Sequence, residues 1–217
     1  MRKALFQAGL ALLSALAGYG EIIDRVAVTV DRVVITESDL VTHIRVAAFL
    51  NGEPAEITPE AKRRAAEQMV EQVLVRREME LSRYPAPSPE DVGPLLENVL
   101  RQRGLDLAKL AEALAAYRIT EQDLRESLLL QLTLLRFIEY RFRPGVAVSD
   151  DEIEAYYRNE FLPDWEQRND APPPALEDVR DDIEEVLIER HVDEALDQWL
   201  EQAKTQAKIE YRREAFQ

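Results

Sequence analysis

Residues 26–40 read VAVTVDRVVITESDL, and this stretch decides how the chain begins to fold. Two β-branched runs, residues 26–30 and 33–35, are split by Asp31-Arg32, which is the pattern of a tight hairpin. Asp tolerates a positive φ in such a turn and Arg does so poorly, so these two residues leave the turn type open. Directly afterwards, Thr36 and Asp39 stand three apart. At that spacing a hydroxyl and a carboxylate each satisfy the other's orphan backbone N–H at a helix start. The sequence therefore predicts a hairpin that runs straight into a helix.

Outward from there the pattern is helical. The same box recurs at Ser88 and Asp91, at Thr120 and Asp123, and at Ser149 and Glu152. Thr58 precedes Pro59, a proline at a first helical position, where its missing N–H costs nothing. Ala61, Ala65, Met69, Val73 and Leu74 share one face of the helix that follows, which should stop near Tyr84, ahead of Pro85, Pro87 and Pro89. Leu95, Leu96, Val99 and Leu100 face inward on the next helix, which stops at Gly104, and a short helix should run from Asp106 to Tyr117. Leu124, Leu128, Leu132 and Leu135 form an apolar stripe, read as core, that ends at Arg143-Pro144-Gly145.

Residues 159–174 read as a break. Pro163, Trp165 and then Asp170-Ala171-Pro172-Pro173-Pro174 predict an extended, non-helical linker. Beyond it Val179, Ile183, Val186, Leu187, Ala195, Leu196, Trp199 and Leu200 define one long helix. Residues 207–211 then alternate like a strand, with Ile209 its most buried candidate. A lone strand does not persist in water, and the only other strands expected are those of the hairpin. The two ends of the chain should therefore meet. The expected fold class is mostly α, with a small β-sheet formed by an N-terminal hairpin and a C-terminal strand.

The 217 residues are 46% hydrophobic and 32% charged, a folded and soluble profile, with a formal net charge of -15. Such an acidic chain repels phosphate backbones, so nucleic acid is not an expected partner. There is no cysteine, which excludes thiolate catalysis, disulfides and Cys-based zinc sites. Residues 1–20 read MRKALFQAGLALLSALAGYG: a basic start at Arg2 and Lys3, an uncharged apolar stretch, and Ala15-Leu16-Ala17 as a small-residue cleavage site. These are the three parts of a secretory signal peptide. The expected division is 1–17 signal peptide, 18–158 hairpin and helical segment, 159–174 linker, and 175–217 a closing helix and strand of the same domain.

No motif for chemistry emerges. His43 and His191 lie within helical patterns and outside metal-binding spacings, and no nucleophile elbow or phosphate-cradling glycine loop is present. Acidic clusters such as Asp150-Asp151-Glu152 sit at helix N-termini, where negative charge suits the macrodipole. An enzyme is not expected, nor is a cofactor, a metal or a small-molecule substrate. The residues that stand out are apolar. Phe161, Leu162 and Trp165 fall in the linker, and Phe137, Tyr140 and Phe142 end the long stripe among arginines. They are read either as staples onto neighbouring helices or as the border of an apolar cleft that binds unfolded clients.

The order of these parts resembles a known family. The hairpin followed by Val34-Ile35-Thr36-Glu37-Ser38-Asp39-Leu40, then Met69-Val70-Glu71-Gln72-Val73-Leu74-Val75-Arg76-Arg77-Glu78, then Trp199-Leu200 and Ala207-Lys208-Ile209-Glu210-Tyr211, is similar to SurA-type periplasmic chaperones over about residues 22–212. That family's parvulin isomerase domain would sit where residues 159–174 lie, and this chain has no glycine after Gly145 for such a fold. The resemblance implies an exported, ATP-independent chaperone in the periplasm that binds unfolded secreted or outer-membrane polypeptides, without isomerase activity. It would meet the membrane only through its signal peptide during export. The alternative is a non-catalytic scaffold module that binds one dedicated partner or forms a homodimer.

Overall fold

A computed structural model describes residues 24–217, so the expected signal peptide lies outside the described residues. The hairpin forms as β1 (Val26–Val30) and β2 (Val33–Thr36), with Val30 paired to Val33 and Thr29 to Val34. Asp31 takes the left-handed turn position at φ 51°, and Arg77 reaches over to bond its carboxylate at 2.6 Å. On the other side of β1 lies β3 (Ile209–Tyr211), so the chain ends meet in one antiparallel sheet of order β2-β1-β3.

The helices are α1 (Glu37–Asn51), α2 (Pro59–Ser82), α3 (Gly93–Gln102), α4 (Leu107–Ala116), α5 (Glu121–Arg141), α6 (Asp150–Tyr156), α7 (Leu162–Arg168) and α8 (Leu176–Gln206). All four reciprocal boxes read from the sequence are formed. Ser88 and Asp91 open a 3-10 turn that leads into α3 rather than α3 itself. Thr58 caps α2 through the backbone N–H of Ala61.

Four apolar clusters hold these elements together. The first packs the sheet against α1 and α2, and the C-terminal turn Arg213–Phe216 adds Ala215 and Phe216 to it. Lys62 is buried there, and its ammonium donates to Glu37 at 2.5 Å and to the Ala215 carbonyl at 3.2 Å. The second joins the end of α1 to α3, α4 and the first half of α5. The third joins α2 and α5 to α8 around Phe137. The fourth sets α6 and its successors on the start of α8.

Three expectations need correction. Residues 159–168 are not extended: α6 passes through one π-helical turn, Tyr157–Phe161, into α7, and chain without helix begins only at Asn169. Pro163 falls in the first turn of α7, and the wide turn before it absorbs the missing N–H without breaking the rod. The inward face of α2 is Ala65, Ala66, Val70, Leu74, Val75 and Met79, while Ala61, Met69 and Val73 flank it half-buried. That helix serves the sheet at one end and α5 and α8 at the other, so its buried stripe drifts. The same drift leaves Leu124 and Leu128 buried but exposes Leu135 on α5. Ile209 packs half-buried against the first cluster, and Phe216, just past the strand, takes the deep position beside it.

Candidate functional site

Six leucines stand at 128, 129, 130, 132, 134 and 135 on α5, more than one buried stripe consumes. Where α5 crosses α1, α2 and α8, the surplus lines a groove. Leu130 and Leu134 face Ala47 and Leu50 of α1, Val75 of α2, and Leu196 and Leu200 of α8, around a volume of about 400 Å³. Thr133 also lines it, but its hydroxyl donates to the Leu129 carbonyl at 2.7 Å, so the helix's own backbone satisfies it. Polar groups gather among the other lining residues. His43 Nε2 and Gln68 Oε1 are 2.9 Å apart, and Lys204 donates to Glu71 at 2.9 Å. That bond raises the Lys204 pKa above its ordinary value. A groove lined by both aliphatic and polar residues can bury an apolar side chain of suitable size, without a demand for one sequence. Burial of two side chains of leucine or phenylalanine size in such a space contributes about 3–6 kcal/mol before the cost of ordering the segment that carries them. Such a grip is weak and reversible.

The aromatic candidates separate into three places. Phe137 and Phe142 are core and not cleft, which corrects their reading as border residues. Phe137 is fully buried, its ring centroid 4.9 Å from Trp199 and 5.4 Å from Phe142. The end of α5 carries them inward because α8 covers it. Tyr140 projects outward and stacks on Tyr84 at 6.2 Å. Phe161, Leu162 and Trp165 are half-buried on helical backbone. Phe161 lies between two partners, stacked on Tyr157 at 5.6 Å and on Trp165 at 5.9 Å. A two-pronged ion pair from Arg190 of α8 to Glu160, at 2.9 and 2.8 Å, ties this turn to the long helix. The same contact holds the Glu160 carboxyl below its ordinary range.

The groove is the part that the sequence reading missed, and its only signal was the leucine excess on α5. Neither histidine is gathered into a metal-binding set: among the described residues, no group of three or more His, Cys, Asp or Glu is placed to hold an ion. His191 Nε2 lies 3.3 Å from Glu152, the acid of the α6 cap. Among the described residues, no helix is long and apolar enough to cross a membrane. Compared with protein-family models and with curated proteins, the chain matches none.

Proposed function

We propose that this protein is an exported, ATP-independent chaperone that holds unfolded polypeptides and does not isomerise them. The observation that carries this reading is the groove between α1, α2, α5 and α8, with aliphatic walls around Leu130 and Leu134 and charged and amide groups among its lining residues. A holding site for many sequences needs apolarity without a specific hydrogen-bond code, and this groove has that character. Two features of the sequence support the same reading. The order of hairpin, helices and closing strand resembles SurA-type chaperones, and residues 1–17 have the composition of an export signal.

The test is suppression of aggregation with several unrelated unfolded substrates. Leu130→Glu places a charge on the groove wall at a half-buried position, so it should abolish holding while the unfolding midpoint stays close to wild type. Failure of the wild-type protein to slow the aggregation of any substrate would refute the reading. So would full holding by the folded Leu130→Glu variant.

A further inference from the structure

Tyr157, Phe161 and Trp165 stand four residues apart, and their rings form a stacked ladder, with interplanar angles of 16° and 28°. Tyr157 and Phe161 rest on the cluster of Ile153, Ile183 and Leu187. The ladder also holds a piece of the chain itself. The Tyr157 hydroxyl donates to the Pro174 carbonyl at 2.7 Å, and Trp165 Nε1 donates to the Ala171 carbonyl at 2.9 Å. Between those two carbonyls stand Pro172 and Pro173, which offer no N–H and keep the backbone extended. The two polar tips of the ladder thus grip the first and last carbonyls of an Ala-Pro-Pro-Pro strap. Indole and phenol donors aimed at the carbonyls of an extended proline segment, from an aromatic surface, belong to the chemistry that recognises such segments in general. The strap is only lightly held, since Ala171, Pro172 and Pro173 remain exposed.

We infer that the ladder of Tyr157, Phe161 and Trp165 is a recognition site for extended, proline-containing polypeptide. Residues 171–174 occupy it as an internal surrogate that an incoming segment displaces. The inference rests on the chaperone reading for the source of that segment, an unfolded client. A shut strap lowers the apparent affinity by the fraction of time that the ladder is open. If the strap is shut about nine-tenths of the time, loosening it tightens binding by about tenfold.

The test is a titration of the ¹⁵N-labelled full chain with a blocked decaproline peptide, with a blocked Gly-Ser decapeptide as control, followed at the Trp165 indole N–H. Decaproline should move that resonance and leave the Trp199 indole in place. The double variant Pro172→Ser with Pro173→Ser should bind decaproline about tenfold tighter. Trp165→Phe keeps a stacking ring but loses the donor; read at the backbone amides of residues 157–168 in both proteins, it should weaken binding by about two- to tenfold. Three results would overturn the inference: no response to decaproline even in the strap variant, equal binding of the Gly-Ser peptide, or a strap variant that binds no tighter than wild type. Holding of unfolded substrates is read separately. Loss of holding with the titration intact sinks the chaperone reading alone, and a failed titration with holding intact sinks the ladder site alone.

Discussion

Phe137→Ala is the perturbation that most directly separates core from client site at the end of α5. Phe137 is fully buried among Val75 and Met79 of α2, Val192 and Trp199 of α8, and Phe142. Removal of a large aromatic from a packed site costs about 3–5 kcal/mol, part of it for the cavity that neighbours cannot fill. Here the loss should sit toward the upper end. Three rings, those of Tyr84, Phe142 and Trp199, each lose an edge-on or tilted partner within 6.4 Å, and such pairs contribute about 0.5–1.5 kcal/mol beyond burial. For a chain of this size a loss of about 4 kcal/mol lowers the melting temperature by about 8–16 °C. The assay is urea unfolding, with an unchanged slope as the sign that the transition is comparable in both proteins. Tyr140→Ala is the internal control: that ring is exposed and stacks on Tyr84 alone, so its removal should cost less than about 1 kcal/mol. A Phe137→Ala protein within about 1 kcal/mol of wild type would refute the packing argument. It would also return Phe137 to the list of cleft residues.

Three further outcomes are expected. Lys62→Met keeps the buried stem and removes the ammonium that joins Glu37 to the C-terminal turn, so it should lose about 1–3 kcal/mol in chemical denaturation; a more stable variant would contradict this. Gly52 ends α1 at φ +76°, and a methyl there would run into the Arg103 guanidinium. Gly52→Ala should therefore cost about 1–2 kcal/mol from the backbone alone, and a gain in melting temperature would count against the packing. The Asp91 carboxyl is held below its ordinary value of 3.8, first by the Ser88 N–H and then by Arg136. A depressed folded-state pKa adds stability above the unfolded value, and that stability fades as pH falls through the folded one. The advantage of wild type over Asp91→Asn should thus be complete about one pH unit above the ordinary value of 3.8 and shrink steadily as the pH falls through it. Unfolding midpoints measured across that range would expose a pH-independent difference, the result that argues against the assignment.

Local rules made much of this molecule legible from its residues alone. The hairpin at residues 26–36, the four reciprocal helix caps and the long helix after Pro174 depend on spacings of two to four residues, and each of them formed. The meeting of the chain ends was also legible, because an orphan strand at 207–211 has to find a partner and the hairpin was the only one on offer. What depended on three-dimensional neighbours was not legible. Helical period read Leu135 as core and left Phe137 open between a staple and a cleft border, yet the first is exposed and the second fully buried, because α8 covers only one side of α5. Pro163 read as a breaker, although a wide turn upstream lets it start a helix. The groove around Leu130 and Leu134 joins residues from four helices, from His43 to Leu200. Its existence is a matter of how far those helices stand apart, a distance that side-chain volumes across the whole bundle determine and that no stretch of sequence encodes by itself.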